Sequence, residues 1–196
     1  MKQRYILIGF IVISLILIGF LAMRNKNIPD EILVGIEELN AFESKIALVE
    51  NKIIDLTNPN DLIKITEFNE LVKQVSFSNN VVYSFVSDSN KSEQQKRIAI
   101  YALRDLDFES YLNFFEKCLL LYQKKRLTDN IIMTVLSPGI NWNCSIIQNY
   151  KDKRVTRLLE NYIEGMSEEL KEVFKYTLSG EIWTSIEDEK RWSHEE

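Results

Sequence analysis

The stretch DFESYLNFFEKCLLLYQKKR, residues 107–126, carries the clearest helical pattern in the chain. Its apolar residues recur at the spacing of one helix face, as in Phe114, Phe115, Cys118 and Leu119. Asp107 precedes the run and is a favourable N-cap residue. The cations of Lys124-Lys125-Arg126 suit the negative end of a helix dipole. We therefore predict a helix with an inward apolar face over this stretch.

Helical patterns continue on both sides of it, joined by short connections. Further segments begin after Pro29 and at Asp61, Ser92, Thr128, Asn141, Asp152 and Ser167, and breaks fall at Asn58-Pro59-Asn60, Pro138-Gly139, Gly165 and Ser179-Gly180. Residues 76–92 are ambiguous, because their valines and aromatic residues suit either a short helix or a strand. Only 6 Gly and 3 Pro occur in 196 residues, which favours long helices over a turn-rich β-sandwich.

The predicted fold is all-α: a single N-terminal transmembrane helix followed by a HEAT-like, α-solenoid-type bundle of helix pairs. Short helices with short connections pack as antiparallel neighbours. The chain divides into four parts: an anchor with basic flanks (1–26), the N-terminal helices of the soluble domain (27–90), a helical-repeat-like core (91–180) and an acidic, Trp-containing C-terminal tail (181–196).

The membrane prediction rests on residues 5–23, which contain no charge, no Pro and no Asn. As a helix this run extends ~28 Å, about the thickness of the bilayer hydrocarbon core. A cleaved secretion signal is the alternative, but such signals have shorter apolar regions that end in small residues, whereas this one ends near Phe20 and Met23. Basic residues ahead of the span favour a cytoplasmic N-terminus. The soluble domain would then lie outside the cytoplasm.

A resemblance to a known family comes from the stretch YALRDLDFESYLNFFEKCLLLYQKKRLTDNIIMTVLSPGINWNCSIIQNYKDKRVTRLLENYIEG, residues 101–165. It resembles small all-helical, HEAT-like bacterial immunity proteins that accompany secreted toxins. The likeness covers roughly residues 92–180 and is one of architecture, so no functional residue is carried over. Some such proteins are held at the inner membrane and face the periplasm, where a toxin arrives. The resemblance therefore implies a periplasmic domain and a toxin as its partner.

Catalytic chemistry finds little support in the residue types. Cys144 follows a Pro-Gly turn and could act as a nucleophile at a helix start. It would need a base, and the only His of the chain is His194, in a charged terminal segment. A packing role for Cys144 is the favoured interpretation. Metal-ligand spacings and nucleotide-binding motifs are missing. We predict a non-enzymatic protein without a cofactor.

The two cysteines leave a redox alternative open. Cys118 and Cys144 could form one disulfide in an oxidising compartment. Cys118 stands in the apolar stripe of residues 107–126, which favours a buried free thiol that packs as a small hydrophobe.

The C-terminal tail is the predicted partner surface. It combines two tryptophans with acidic side chains, and the candidate binding residues are Trp183, Glu187, Asp188, Glu189 and Trp192. Aromatic anchors within an acidic rim suit a basic protein surface. The alternative is a last amphipathic helix, in which Trp183 packs on the core and the charges lie in water.

Charge narrows the class of partner. The formal net charge of −5 disfavours nucleic acid and favours a protein with a basic surface. One basic cluster stands against this trend, consisting of Lys151, Lys153, Arg154 and Arg157. We interpret it as a solvated helix face rather than a contact to acidic lipid headgroups.

The leading hypothesis is a membrane-anchored protein-binding domain, an immunity protein that blocks a secreted antibacterial toxin by occlusion. The alternative is a scaffold or assembly component of the cell envelope. A third hypothesis, an envelope enzyme acting on glycan or lipid, requires a catalytic constellation that the sequence does not offer.

Overall fold

The computed structural model describes residues 35–53, 59–75, 79–137 and 145–180. Over these ranges the α-helices are α1 (Ile36–Glu50), α2 (Thr66–Val75), α3 (Asn80–Ser87), α4 (Glu93–Tyr101), α5 (Phe108–Gln123), α6 (Asp129–Leu136), α7 (Lys153–Tyr162) and α8 (Glu168–Ser179). Three 3₁₀ helices cover Pro59–Lys64, Ala102–Asp105 and Ile163–Gly165. No strand occurs in the described ranges, so the all-α prediction is confirmed for them. The finer, HEAT-like solenoid arrangement stays a prediction.

Side-chain caps fix the starts of five helices at residues that the sequence predicts. They are Ser92 for α4, Asp107 for α5, Thr128 for α6, Asp152 for α7 and Ser167 for α8. Ser92 forms a reciprocal capping box, because it accepts from the Gln95 amide while the Gln95 side chain accepts from the Ser92 amide. The last described helix, α8, ends at Gly180, which has a φ of 80°. Glycine adopts this left-handed conformation without steric cost.

Two predicted boundaries around Pro59 are wrong. The first helix does not run on to Asn58, because α1 ends at Glu50. The amides of Lys52 and Ile53 bond three residues back, to Val49 and Glu50, and tighten the chain into a turn. The next segment begins at Pro59 and not at Asp61, because Pro59 is the first residue of a 3₁₀ helix. The missing amide proton of proline costs nothing at the start of a helix.

Within the ambiguous segment 76–92, Asn80–Ser87 forms a helix and not a strand. The helix predicted from Asn141 is wrong in its described part, because residues 146–150 form turns. The amide of Ile147 donates to the carbonyl of Leu136 at the end of α6, 3.4 Å away. It is therefore not used in a local helix.

Within the described ranges no helix combines the length and apolarity needed to cross a bilayer. The span predicted at residues 5–23 lies outside these ranges.

The core draws on every one of the eight α-helices and belongs to one compact unit, Val34–Glu196. Representative buried side chains, one from each helix in order, are Phe42, Phe68, Phe85, Ile98, Phe115, Ile132, Leu159 and Phe174. Phe42 and Phe85 join α1 to α3 with ring centroids 5.4 Å apart in an edge-to-face arrangement, which adds to the energy of burial.

A buried tyrosine hydroxyl joins two of the core helices. Tyr111 of α5 is fully buried, and its hydroxyl donates to the carbonyl of Val135 at 2.7 Å. The bond fastens the end of α6 to α5.

We expect Tyr111→Phe to lower the free energy of unfolding by about 1–2 kcal/mol, because the Val135 carbonyl loses a buried donor. Chemical denaturation monitored by circular dichroism measures the change. Tyr176→Phe, which alters an exposed tyrosine of α8, serves as the control and should change little. Equal losses in the two variants would contradict a specific role for the Tyr111 bond.

The turn after α5 has an uncommon residue in the left-handed conformation. Lys125 has φ 58°, its amide donates to the Tyr122 carbonyl at 2.7 Å, and the Arg126 amide donates to the Leu121 carbonyl at 3.0 Å. These are the two bonds of a Schellman motif, in which glycine usually takes the position of Lys125.

Lys125→Gly is therefore expected to raise the free energy of unfolding by about 0.5–1 kcal/mol, because it removes the steric cost of a side chain at positive φ. Lys124→Gly, one residue earlier at a negative φ, should have the opposite sign. Thermal unfolding of both variants checks the pair, and a loss of stability in Lys125→Gly would show that the turn is not strained.

Cys118 carries a free, fully buried thiol. Burial raises the pKa of this thiol well above its ordinary value, so it packs as a hydrophobe and is not a nucleophile. Cys144 lies outside the described residues.

Candidate functional site

A polar groove lies between α5 and α7. Its α5 wall is formed by Glu109, Ser110, Leu112, Asn113 and Glu116, and its α7 wall by Arg154, Arg157, Leu158 and Asn161. The lining residues of α7 follow the spacing i, i+3, i+4, i+7, which gives one face of a helix. Each helix thus turns its apolar side to the core and a mixed polar side to the groove.

The groove is open and has a volume of about 480 Å³, within the range of natural ligand sites. Leu112 and Leu158, each 8% exposed, supply its apolar part. Polar and charged side chains at the rim surround these leucines. A bound chain would therefore gain both apolar contact and directed hydrogen bonds.

Arg154 is held firmly at one end of the groove. Its guanidinium forms an ion pair with Glu109 across the groove and donates to both carboxylate oxygens of Asp152, at 3.0 and 2.8 Å. It also lies over the Phe108 ring, 5.6 Å from the centroid. These hydrogen bonds lower the pKa of Asp152 to about 2 and raise the pKa of Arg154. Arg154 therefore joins the two walls.

The rest of the groove presents polar groups without partners. The side chains of Asn113, Glu116, Arg157 and Asn161 make no hydrogen bond or ion pair within the described part of the chain. Glu116 is close enough to Tyr162 to raise the pKa of that phenol, an effect second to burial. Two amides and two opposite charges are thus available to a ligand.

The contacts also indicate how α5 and α7 run. Glu109 meets Arg154 near the start of both helices, and Glu116 acts on Tyr162 near the end of α7. The two helices therefore run in the same direction, with α6 between them in sequence.

The titratable side chains that line the groove are two carboxylates and two guanidiniums. Of its described lining residues none is His or Cys, and Glu109 is neutralised by Arg154. No cluster of three or more potential metal ligands exists among the described residues.

The residues predicted as the partner surface cannot be compared with the groove. Trp183, Glu187, Asp188, Glu189 and Trp192 lie outside the described ranges, as do Cys144 and His194.

The four residues of the basic cluster are all exposed, which agrees with a solvated face, but their surroundings differ. Lys151 lies over the Tyr150 ring and Lys153 is exposed, whereas Arg154 and Arg157 line the groove. Sequence reasoning missed the groove itself. Its signal is a pair of helical faces with a central leucine, E-S-x-L-N-x-x-E at 109–116 and R-x-x-R-L-x-x-N at 154–161.

The chain matches no protein-family model, no curated protein and no solved structure.

Proposed function

We propose that this chain is a non-enzymatic protein-binding domain that holds an extended segment of a partner protein in the groove between α5 and α7. The observation that carries the proposal is the set of four unpartnered polar side chains beside two leucines. Each asparagine amide offers donors and an acceptor, which match the peptide groups of an extended chain. The leucines offer contact to its apolar side chains.

The charges of the groove define the segment further. Arg157 suits an acidic side chain of the partner, and Glu116 suits a basic one. Because Arg154 and Glu109 neutralise each other, they shape the groove more than they attract a charge. Selectivity would come from the order of charges along the segment.

The wider biological proposal joins the groove to the two termini. Residues 5–23 would anchor the chain as a single-pass protein of the inner membrane, with its domain in the periplasm. The partner would be a secreted antibacterial toxin with a basic surface, blocked by occlusion. Trp183, Glu187, Asp188, Glu189 and Trp192 would add an acidic contact to the partner. Support for this part is the apolar run, the net charge and the resemblance to immunity proteins.

A second candidate function, a scaffold of the cell envelope, is favoured by two exposed apolar residues of α1. Ile36 is 79% exposed and Leu48 is 51% exposed. Large apolar side chains that are exposed to solvent can contact another protein. A scaffold would use these residues of α1, and an immunity protein would use the groove.

An affinity capture with matched variants tests the proposal. The full chain is immobilised in a mild detergent and exposed to lysate and secreted proteins of the source cells. Asn113→Ala with Asn161→Ala removes the amides and raises helix propensity, and Asn40→Ala with Asn130→Ala alters two exposed asparagines elsewhere. A protein retained by wild type and the control but lost from the groove variant supports the proposal. Retention by all three would contradict it.

A further inference from the structure

The groove presents its lining residues at corresponding levels of α5 and α7. The lined stretch of α5 begins at Glu109 and ends at Glu116, and that of α7 begins at Arg154 and ends at Asn161. Because Arg154 forms its ion pair with Glu109, the two starts lie side by side, and the two ends lie together at the other end of the groove. An antiparallel arrangement would place Arg154 beside Glu116 instead.

Distances along the groove follow from the rise of an α-helix, about 1.5 Å per residue. Arg157 is three residues beyond Arg154, and Glu116 is seven residues beyond Glu109. Measured from the ion pair, Arg157 therefore stands at ~4.5 Å and Glu116 at ~10.5 Å along the helices. The two charges are offset by ~6 Å along the groove.

This offset divides the open part of the groove into two levels. Arg157 stands near the level of Asn113, and Glu116 stands at the level of Asn161. None of the four makes a hydrogen bond or ion pair within the described part of the chain, and all four are exposed. Each level thus offers one amide and one charge, and the two charges have opposite signs.

An extended segment matches two levels of this kind. A strand advances about 3.2–3.4 Å per residue and its alternate side chains point to the same side, so residues two positions apart present side chains ~6–7 Å apart on one face. Residues one position apart point to opposite sides. A helical segment also repeats a face within about one turn. Its peptide groups, however, are bonded within the helix and would leave the asparagine amides unused.

We infer, on the basis of the proposed function, that the groove selects a partner segment with an acidic and a basic side chain two positions apart. The acidic side chain contacts Arg157 and the basic one contacts Glu116, while the residue between them points away from the groove. Asn113 and Asn161 hold the peptide groups of the same stretch. The groove thereby recognises a spacing of opposite charges in its partner, and not a net charge.

Fluorescence polarisation of labelled peptides with the full chain, in a mild detergent, tests the spacing. The peptides TVEVKVT and TVKVEVT carry their charges two positions apart, in the two orders that correspond to the two directions of a bound chain. TVEKVVT and TEVVVKT have the same composition, with the charges one and four positions apart. We expect one of the first two peptides to bind about tenfold or more tightly than both of the others, because only its charges reach Arg157 and Glu116 at once.

The outcomes separate this spacing from the proposed function. Equal binding of all four peptides, or tightest binding of TVEKVVT or TEVVVKT, would overturn the spacing and leave peptide binding intact. Binding of none of them would contradict the proposed function together with the spacing.

Exchange of the two charges assigns the preference to the groove. Arg157→Glu with Glu116→Arg keeps the net charge and should invert the preference between TVEVKVT and TVKVEVT. Lys175→Glu with Glu172→Lys, which exchanges the partners of an exposed ion pair on α8, is the matched control and should leave the preference unchanged. Circular dichroism checks the fold of both variants. An unchanged preference in the groove variant would show that the peptide binds elsewhere and would overturn the inference.

Discussion

Replacing Phe115 by alanine is expected to lower the free energy of unfolding by about 3–5 kcal/mol. Phe115 is fully buried on α5, and its ring centroid lies 6.4 Å from that of Phe174 on α8. The substitution leaves a cavity between these helices that the packed neighbours cannot fill. A domain of this size has only a few such increments of stability to lose.

Denaturant titration of Phe115→Ala measures the loss, and Leu120→Ala is its control. Leu120 belongs to the same helix, but 38% of it is exposed, so its truncation should cost far less. Similar losses in the two variants would contradict the assignment of Phe115 to the central core.

The second large effect concerns the groove. Arg157→Glu is expected to weaken binding of the partner about a hundredfold, which corresponds to roughly 3 kcal/mol. The substitution replaces a cation that has no partner in the described structure by an anion that repels both the partner's acidic side chain and Glu116. Stability should hardly change, because the side chain is exposed.

Lys153→Glu provides a matched control for this measurement. It changes the net charge by the same amount on the same helix, yet Lys153 does not line the groove. Titration of the captured partner should therefore show a small loss for Lys153→Glu and a large one for Arg157→Glu. Equal losses would mean that only long-range charge attracts the partner, and that the groove is not its binding site.

Helix starts were predictable from sequence because the signal is local. Asp107 and Ser167 each cap the helix that begins one residue later, and such a cap needs only its own side chain and an amide two or three residues on. The apolar stripe around Cys118 likewise defines its own buried face. Neither conclusion requires knowledge of the rest of the fold.

Other boundaries depended on contacts between distant residues. Ile147 looks helical from its neighbours, but its amide is taken by Leu136 from another element. Residues 80–87 suit a helix or a strand equally by periodicity, and their packing decides the outcome. In both cases tertiary structure outweighs local preference.

The groove was beyond prediction for the same reason. Arg154 and Glu109 are 45 residues apart in sequence, and each alone resembles an ordinary charge on a solvated helix face. Only the packing of α7 beside α5 turns two unremarkable polar faces into one site. A charged residue without an obvious partner is common in any sequence. A charge that stays unpaired beside buried leucines in a groove of the structure points to a candidate site.

Site-specific photocross-linking is the most direct test of the central claim, that the groove holds a partner protein. A photoreactive residue is placed at Asn113 in the groove or at Leu48 on α1, and the full chain is irradiated in its own cells. Position 113 is expected to yield one cross-link to a different protein, and position 48 is expected to yield none. Cross-links from position 48 to another copy or to envelope proteins, with none from position 113, would contradict the claim and favour the scaffold.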